Sequence, residues 1–269
     1  MKKLENELIS PKLWQMISKE LKKTKLEEKQ VGRRRKWELK EIIEGISWIL
    51  RTGSQWKYLP RCYPPKSTVH RWYQKLVQLD FFDKLIKRVV RFMSKKKLLD
   101  TSECAIDGTY IRSRHEDDQV DYGKKGKGHK MMLITEKSGY PIGISISPAS
   151  KHEIPLVEET LDKMFTEKKP KVILADKAYD SDPLDAKLLK ERKIKLVAPH
   201  RDNRTQGKTQ DGRELRRYKR RYRIERCFAW LYNHRRLQTR NEKKFENFTN
   251  FLLLGLTNIL VKKLIKSTS

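Results

Sequence analysis

The sequence predicts an α/β chain in two parts: an all-α, helix-turn-helix-like unit over 1–98, then a mixed sheet flanked by helices over 99–269. Two observations predict it. Up to about Lys95 the apolar residues recur at helical spacing, as in Leu13, Trp14, Ile17 and Leu21 and again in Ile42, Ile43, Ile46, Ile49 and Leu50. Beyond residue 100 the texture changes to short apolar or alternating runs, the signature of strands; the first three follow one another directly and the later ones alternate with helical pattern. A chain of 269 residues is long enough for one sizeable core and a smaller second unit.

In the first unit, Gly32-Arg33-Arg34-Arg35-Lys36 is a charged linker between helices, with phosphate contact as its alternative reading. Thr52-Gly53 stops the next helix, and Trp56, Leu59, Pro64 and Pro65 make a connection. A new helix then starts with Ser67 as N-cap. That helix carries His70, Arg71, Gln74 and Lys75 on its polar side, with Val69, Trp72, Tyr73 and Leu76 available for packing. Such a second helix suits the major groove of DNA, although a basic surface helix would look the same.

In the second unit five strands are expected, at Cys104–Asp107, Met131–Ile134, Ile142–Ile146, Lys171–Asp176 and Ile194–Ala198. Ser138-Gly139 turns the chain between the second and third. Helices are expected over Pro155–Phe165, Pro183–Arg192, Glu214–Arg235 and Phe245–Lys266.

Lys and Arg number 63 against 34 Asp and Glu, a formal charge of +29. Such a charge repels itself unless a polyanion offsets it, and a nucleic-acid backbone is the usual partner. A membrane is the rival, but no run approaches the roughly 20 apolar residues of a spanning helix, and Phe251–Val261 reads as a buried helix. Cys62, Cys104 and Cys227 form no CxxC pair, which argues against a disulfide framework and a zinc site. The first ten residues have acids where a signal peptide has an apolar core, so a cytoplasmic protein is expected.

Asp107 and Asp176 each close the apolar run of a strand. Carboxylates at the ends of adjacent strands repel unless a cation lies between them, and oxygen ligands without Cys or His point to Mg²⁺ or Mn²⁺. Two such ions stabilise both oxygens of a phosphodiester displacement. Either Asp taken alone reads more readily as a turn cap. A third acid, Glu225, stands beside the apolar stripe of Ile224, Cys227, Phe228 and Leu231, with Tyr218 and Arg221 on its own helix face. Arg221 is placed to hold a phosphate or to orient the carboxylate.

Together these residues resemble the DDE transposases of bacterial insertion sequences, specifically the group of insertion sequence five. The resemblance rests on Ile106-Asp107-Gly108-Thr109, Leu174-Ala175-Asp176-Lys177-Ala178-Tyr179-Asp180, Tyr218…Arg221…Glu225, Phe228-Ala229-Trp230-Leu231 and Arg235-Arg236-Leu237, together with Trp48–Gly53, Trp56…Leu59-Pro60 and Ser67-Thr68-Val69 in the first unit. It implies an RNase H-like domain in which Asp107, Asp176 and Glu225 hold two Mg²⁺ or Mn²⁺ ions. It also implies cleavage at the ends of an element and attack of the freed 3′-OH on target DNA, without a covalent intermediate, by a homodimer or higher oligomer on double-stranded DNA. One position departs from the family pattern: a Lys is expected at 232, where Tyr232 stands, leaving His234, Arg235 or Arg236 as substitutes.

Three further features carry expectations. Tyr122–Lys130 is glycine-rich and basic but lacks the Gly-Lys-[Ser/Thr] of a phosphate-binding loop, so it reads as a flexible approach that touches DNA through Lys124, Lys125 and Lys127. Arg201, Arg204, Lys208, Arg213, Arg216 and Arg217 read as a basic path toward the acids. His152 and Glu153 follow the third strand and read first as making a structural hydrogen bond, with a place near the metals as the alternative, and Tyr179 reads as packing or DNA contact. Ser102, Ser113 and Tyr110 lack the His partner of an activated nucleophile. With Arg221, Arg235 and Arg236 added to the residues above, this completes the expected DNA-binding set. A catalytically silent DNA-binding regulator and an RNase H-like nuclease are the alternative functions.

Overall fold

A computed structural model describes residues 8–24, 36–117, 119–202, 204–205, 207 and 212–267. The Gly32–Arg35 charge run and Lys208 lie outside the described residues, as does the side chain of Arg213. The chain divides into two compact units, one of 1–89 with 231–269 and one of 90–230.

The helical unit begins with α1 (Pro11–Lys23), where Ser10 Oγ accepts the Leu13 N–H and Pro11 occupies the first turn. In α2 (Leu39–Thr52) Glu38 and Glu41 form a capping box, and Gly53 ends the helix at φ 70°, a left-handed conformation that glycine adopts without penalty. After a 3₁₀ turn at Trp56–Tyr58 come α3 (Lys66–Gln78) and α4 (Phe81–Lys95). The expected N-cap, Ser67, lies inside α3: Pro65 takes the cap position, its carbonyl accepting from Thr68 and Val69. Proline's fixed φ and missing N–H suit that boundary.

The last helix of the chain, Phe245–Lys266, joins this unit and packs against α1 and α3. Contrary to the sequence expectation, it is long and apolar enough to cross a membrane, yet most of it is buried in the protein. Phe251 stacks on Tyr73 at 4.4 Å, and the Tyr73 hydroxyl donates to the Asn247 carbonyl at 2.5 Å. The unit also contains Arg236, buried at 4 % exposure. Its Nε donates to Glu242 Oε1 at 2.8 Å and its Nη1 to the Ser54 carbonyl at 3.0 Å. The expectation that Arg236 contacts DNA is thereby corrected, because its guanidinium pins the loop after α2 to the segment before the last helix.

The other unit is built on a sheet in which β1 (Glu103–Ser113) is the central strand. It pairs antiparallel with β3 (Gly126–Thr135), and β3 pairs antiparallel with β4 (Pro141–Pro148). On its other side β1 runs parallel to β5 (Val172–Leu174), which runs parallel to β6 (Lys195–Val197). The order β4-β3-β1-β5-β6 is that of an RNase H-like mixed sheet. α5 (Glu153–Asp162) connects β4 to β5 and packs on β3 and β4. α6 (Asp182–Lys187), continued by a π turn over 188–192, connects β5 to β6. The helix expected over Glu214–Arg235 is divided: α7 (Gly212–Tyr218), a 3₁₀ turn at Lys219–Arg221, then α8 (Tyr222–Tyr232). The final helix is therefore α9.

Two further expectations change. β1 does not end at Asp107 but continues to Ser113, because its pairing with β3 outlasts its pairing with β5. The glycine-rich approach is a hairpin: β2 (Asp121–Gly123) pairs with the start of β3 across a turn whose tip is Lys124-Lys125. Gly126 there has φ 102°, and a Cβ on Gly128 would lie 2.2 Å from the Ile111 carbonyl oxygen. Glycine at 128 is what lets β3 run so close to β1.

Replacing Arg236 by Ala is expected to destabilise the helical unit by about 3 kcal/mol, because it strands Glu242 as a buried, uncompensated charge. The double change Arg236→Met with Glu242→Leu recovers most of that loss. Urea unfolding followed by tryptophan fluorescence checks both; a loss under 1 kcal/mol in the single variant would refute this role.

Candidate active site

The last β1–β5 rung is Ala105↔Leu174, and Asp107 and Asp176 each lie two residues beyond it. The parallel register therefore delivers both carboxylates to the same edge of the sheet. Beneath them Ile106, Ile173, Leu174 and Ala175 are buried, so the acids sit on a rigid base. Asp107 stays inside β1, where its Oδ1 accepts the Gly108 N–H at 2.9 Å. Asp176 caps the 3₁₀ turn Lys177–Tyr179, its Oδ1 accepting the Ala178 N–H at 2.7 Å. Capping and site geometry coexist here, since each carboxylate accepts one backbone amide through Oδ1.

Arg221 ties the third acid to the first. Its Nη1 donates to Asp107 Oδ2 at 2.6 Å and its Nη2 to Glu225 Oε1 at 2.7 Å. The 3₁₀ turn before α8 leaves Arg221 over the Tyr218 ring, 5.7 Å from its centroid, which steadies the guanidinium. Of the two roles open to Arg221 in the sequence, orienting the carboxylate is the one seen. Burial pushes the Asp107 carboxyl up to about 6, and the negative charges of Asp176 and Glu153 push the same way; Arg221 and the Gly108 amide pull against them.

Glu153 is a further member of this group, for which the sequence favoured a structural hydrogen bond over a place near the acids. It makes that bond, to the buried Tyr179 hydroxyl, and also faces Asp107 from the first turn of α5. A Cβ on Gly108 would lie 3.4 Å from Tyr179 Oη and 3.5 Å from Glu153 Cδ, so the three elements meet there. The signal was the acid opening a helix directly after a strand. Asp180 was missed. It is buried and accepts from His200 Nδ1 at 2.9 Å, Arg201 N at 2.9 Å and Arg204 Nη1 at 3.0 Å. Arg204 also grips Asp182, while Arg201 donates to the carbonyls of Lys177 and Ala178. These two arginines, expected on a path for DNA, also brace the loop that carries Asp176.

The remaining expected contacts divide by exposure. Arg71, Lys124, Lys125 and Arg235 are exposed. Lys127 pairs with Glu116, Lys75 lies over the Trp72 ring, and His70 meets Trp56 edge-on at 4.9 Å. Gln74 is half-buried, and its Nε2 is buried without a hydrogen-bond partner. Of the substitutes for the lysine expected at 232, His234 and Arg236 are buried and Arg235 is exposed.

Among the described residues no three acids, histidines or cysteines stand close enough to hold an ion together. Asp107 and Asp176 nevertheless form an oxygen-only pair at one sheet edge, the donor chemistry of a hard divalent cation. Glu225 is kept to its own side by Arg221.

Residues 99–260 match the family described as transposase DDE domain, and residues 9–86 match one described as putative transposase of IS4/5 family. The putative transposase for insertion sequence element IS402 from Burkholderia cepacia is 28 % identical over 136 residues, a stretch covering 48 % of this chain and 60 % of that relative. Among solved structures, the piggyBac transposase synaptic complex with hairpin DNA is similar at a TM-score of 0.52 and 12 % identity, over 94 % of this chain and 72 % of that one. This last likeness concerns the fold alone.

Because the folded Asp107 titrates near 6 against 3.8 for the free carboxyl, the folded chain holds a proton that the unfolded chain has lost between those values. Stability contributed at this position is thus greatest at low pH and falls as pH rises through that window. Asp107→Asn removes the charge, so in metal-free buffer it is expected to exceed wild type by about 2 kcal/mol at pH 7, with the difference vanishing toward pH 4. Chemical denaturation across that range checks it; a variant no more stable than wild type at pH 7 contradicts the assignment.

Proposed function

Since the chain belongs to the transposase DDE domain family, we propose that it is a transposase of the insertion sequence five group, which binds element ends in double-stranded DNA and carries out metal-dependent cleavage and strand transfer. The observation that carries this reading is the β1–β5 register that sets Asp107 beside Asp176. In the proposed division of labour, residues 1–98 bind DNA and 99–269 carry the chemistry. The net charge of +29 supports a polyanionic substrate, and a DNA substrate places the protein at the bacterial nucleoid.

Asp107, Asp176 and Glu225 are the residues that would hold two Mg²⁺ or Mn²⁺ ions, whose charge stabilises the attacking and leaving oxygens of a phosphodiester displacement. Arg221 pairs with both Asp107 and Glu225 and so ties the third acid to the first. The brace of Arg201 and Arg204 on the Asp176 loop holds the second acid while DNA is bound and exchanged. Rival nucleophiles are engaged elsewhere. The Tyr110 hydroxyl donates to the Lys127 carbonyl at 2.6 Å, Ser113 Oγ to the His115 carbonyl at 2.8 Å, and the Tyr179 hydroxyl is buried beside Met132 and Glu153. These engagements support direct displacement by water and then by the 3′-OH, with no covalent enzyme–DNA step.

DNA contact is assigned to His70, Arg71, Gln74 and Lys75 of α3, to Lys124, Lys125 and Lys127 of the hairpin, and to Arg221 and Arg235, with the exposed Arg71, Lys124, Lys125 and Arg235 carrying the larger share. Joining two ends to one target calls for a homodimer or higher oligomer on DNA.

A labelled duplex carrying a candidate element end, incubated with Mg²⁺ or Mn²⁺, tests the proposal. Wild type is expected to cut and join it. Asp176→Asn is expected to bind equally well and lose both steps by at least about a hundredfold, the scale of a lost charge-stabilising group. Cutting without joining would indicate a nuclease, and binding without cutting by wild type a DNA-binding regulator.

A further inference from the structure

The helical unit contains a cavity of about 170 Å³ that the chemistry at Asp107 and Asp176 does not use. Ser47 and Arg51 of α2, His234, and Asn258 and Lys262 of α9 line its polar side together with Ser10, and aliphatic side chains from α9, α1 and the residues just before α1 line the rest. No carboxylate is among the lining residues.

Three atoms on these walls, Ser47 Oγ, His234 Nδ1 and Asn258 Oδ1, are buried without a hydrogen-bond partner. Ser47 is 3 % exposed and His234 7 %. A buried polar atom left unpaired costs about 1–3 kcal/mol, so three on one small cavity point to an occupant that hydrogen-bonds. The two cations narrow its chemistry. Arg51 and Lys262 are exposed residues that also line the cavity and give it a positive potential, with no carboxylate among its described lining residues.

We propose that this cavity binds a phosphoryl group, either a backbone phosphate of DNA or free phosphate. The Ser47 hydroxyl donates to it, the His234 Nδ1–H donates in the matching tautomer, and the Asn258 amide turns its nitrogen inward. Arg51 and Lys262 supply the charge. His234 also serves as the reporter. Burial, and then Lys262 and Arg51, hold its imidazole down to about 4, so it is neutral at physiological pH. An anion seated between it and the two cations reverses that balance and raises its titration midpoint. The charged groups lining the cavity around His234 are Arg51 and Lys262.

The test is a titration of the full chain, ¹⁵N-labelled at histidine, in low salt, with the His234 ring resonances assigned by His234→Gln. Inorganic phosphate is added in one arm and a short duplex of unrelated sequence in the other. Movement of the His234 resonances, with a midpoint raised above its ligand-free value, supports the proposal; a response to phosphate marks a free-anion site, and a response to duplex alone marks a backbone phosphate. Arg51→Gln with Lys262→Gln, both at exposed positions that leave the core intact, is expected to weaken the response at least about tenfold. Resonances unmoved by both ligands mean that the cavity holds only water and overturn the proposal. A response undiminished in the double variant places binding elsewhere and overturns it equally.

Discussion

Two carboxylates held side by side against their mutual repulsion are the constraint on which the rest of this structure depends. The short parallel pairing of β1 with β5 brings Asp107 and Asp176 to one edge, and the buried residues beneath prevent their retreat. The displacement of the Asp107 carboxyl toward 6 comes first from burial, with the charges of Asp176 and Glu153 adding to it against Arg221 and a backbone amide. Under the proposed function this edge is where a cation would sit, and the surrounding elements bring further charged groups to it. α5 adds Glu153, α8 adds Glu225, and Arg221 spans the gap between the first and third acids.

The high positive charge does not translate into an equally large surface for DNA. Several arginines are occupied by the fold. Arg220 grips Glu103, and Arg223 and Arg226 reach the carbonyls of Lys137 and Ser138 at the turn into β4. Arg204 braces Asp180, and Arg236 is buried against Glu242. Arginine suits these tasks because its planar fork satisfies two acceptors at once and stays charged when buried. The exposed lysines at the hairpin tip, and Arg71 on α3, are left for a polyanion.

Much of this was legible in the sequence, and the gaps have physical reasons. The five apolar runs mark β1, β3, β4, β5 and β6 because buried strands need such runs, and an acid directly after one is conspicuous. The extension of β1 to Ser113 was hidden by Gly108 and the polar residues beyond it, where only pairing with β3 maintains the strand. The β2–β3 hairpin looked like a flexible stretch because its glycines serve a turn and a close strand approach. The membership of α9 in the helical unit could not be read, since a helix apolar on every side shows no preferred face. In the site, Asp107 and Asp176 announced themselves by position and Glu225 by its helix, whereas the roles of Arg236, Asp180 and Glu153 depend on partners that only the fold brings near.

Mn²⁺ binding to the DNA-free chain, followed by electron paramagnetic resonance, tests most directly whether the paired aspartates are a cation site. Saturable binding is predicted for wild type and for a control at an exposed acid, Asp121→Asn, with affinity at least about tenfold weaker in both Asp107→Asn and Asp176→Asn. Equal binding by all four proteins would contradict the account.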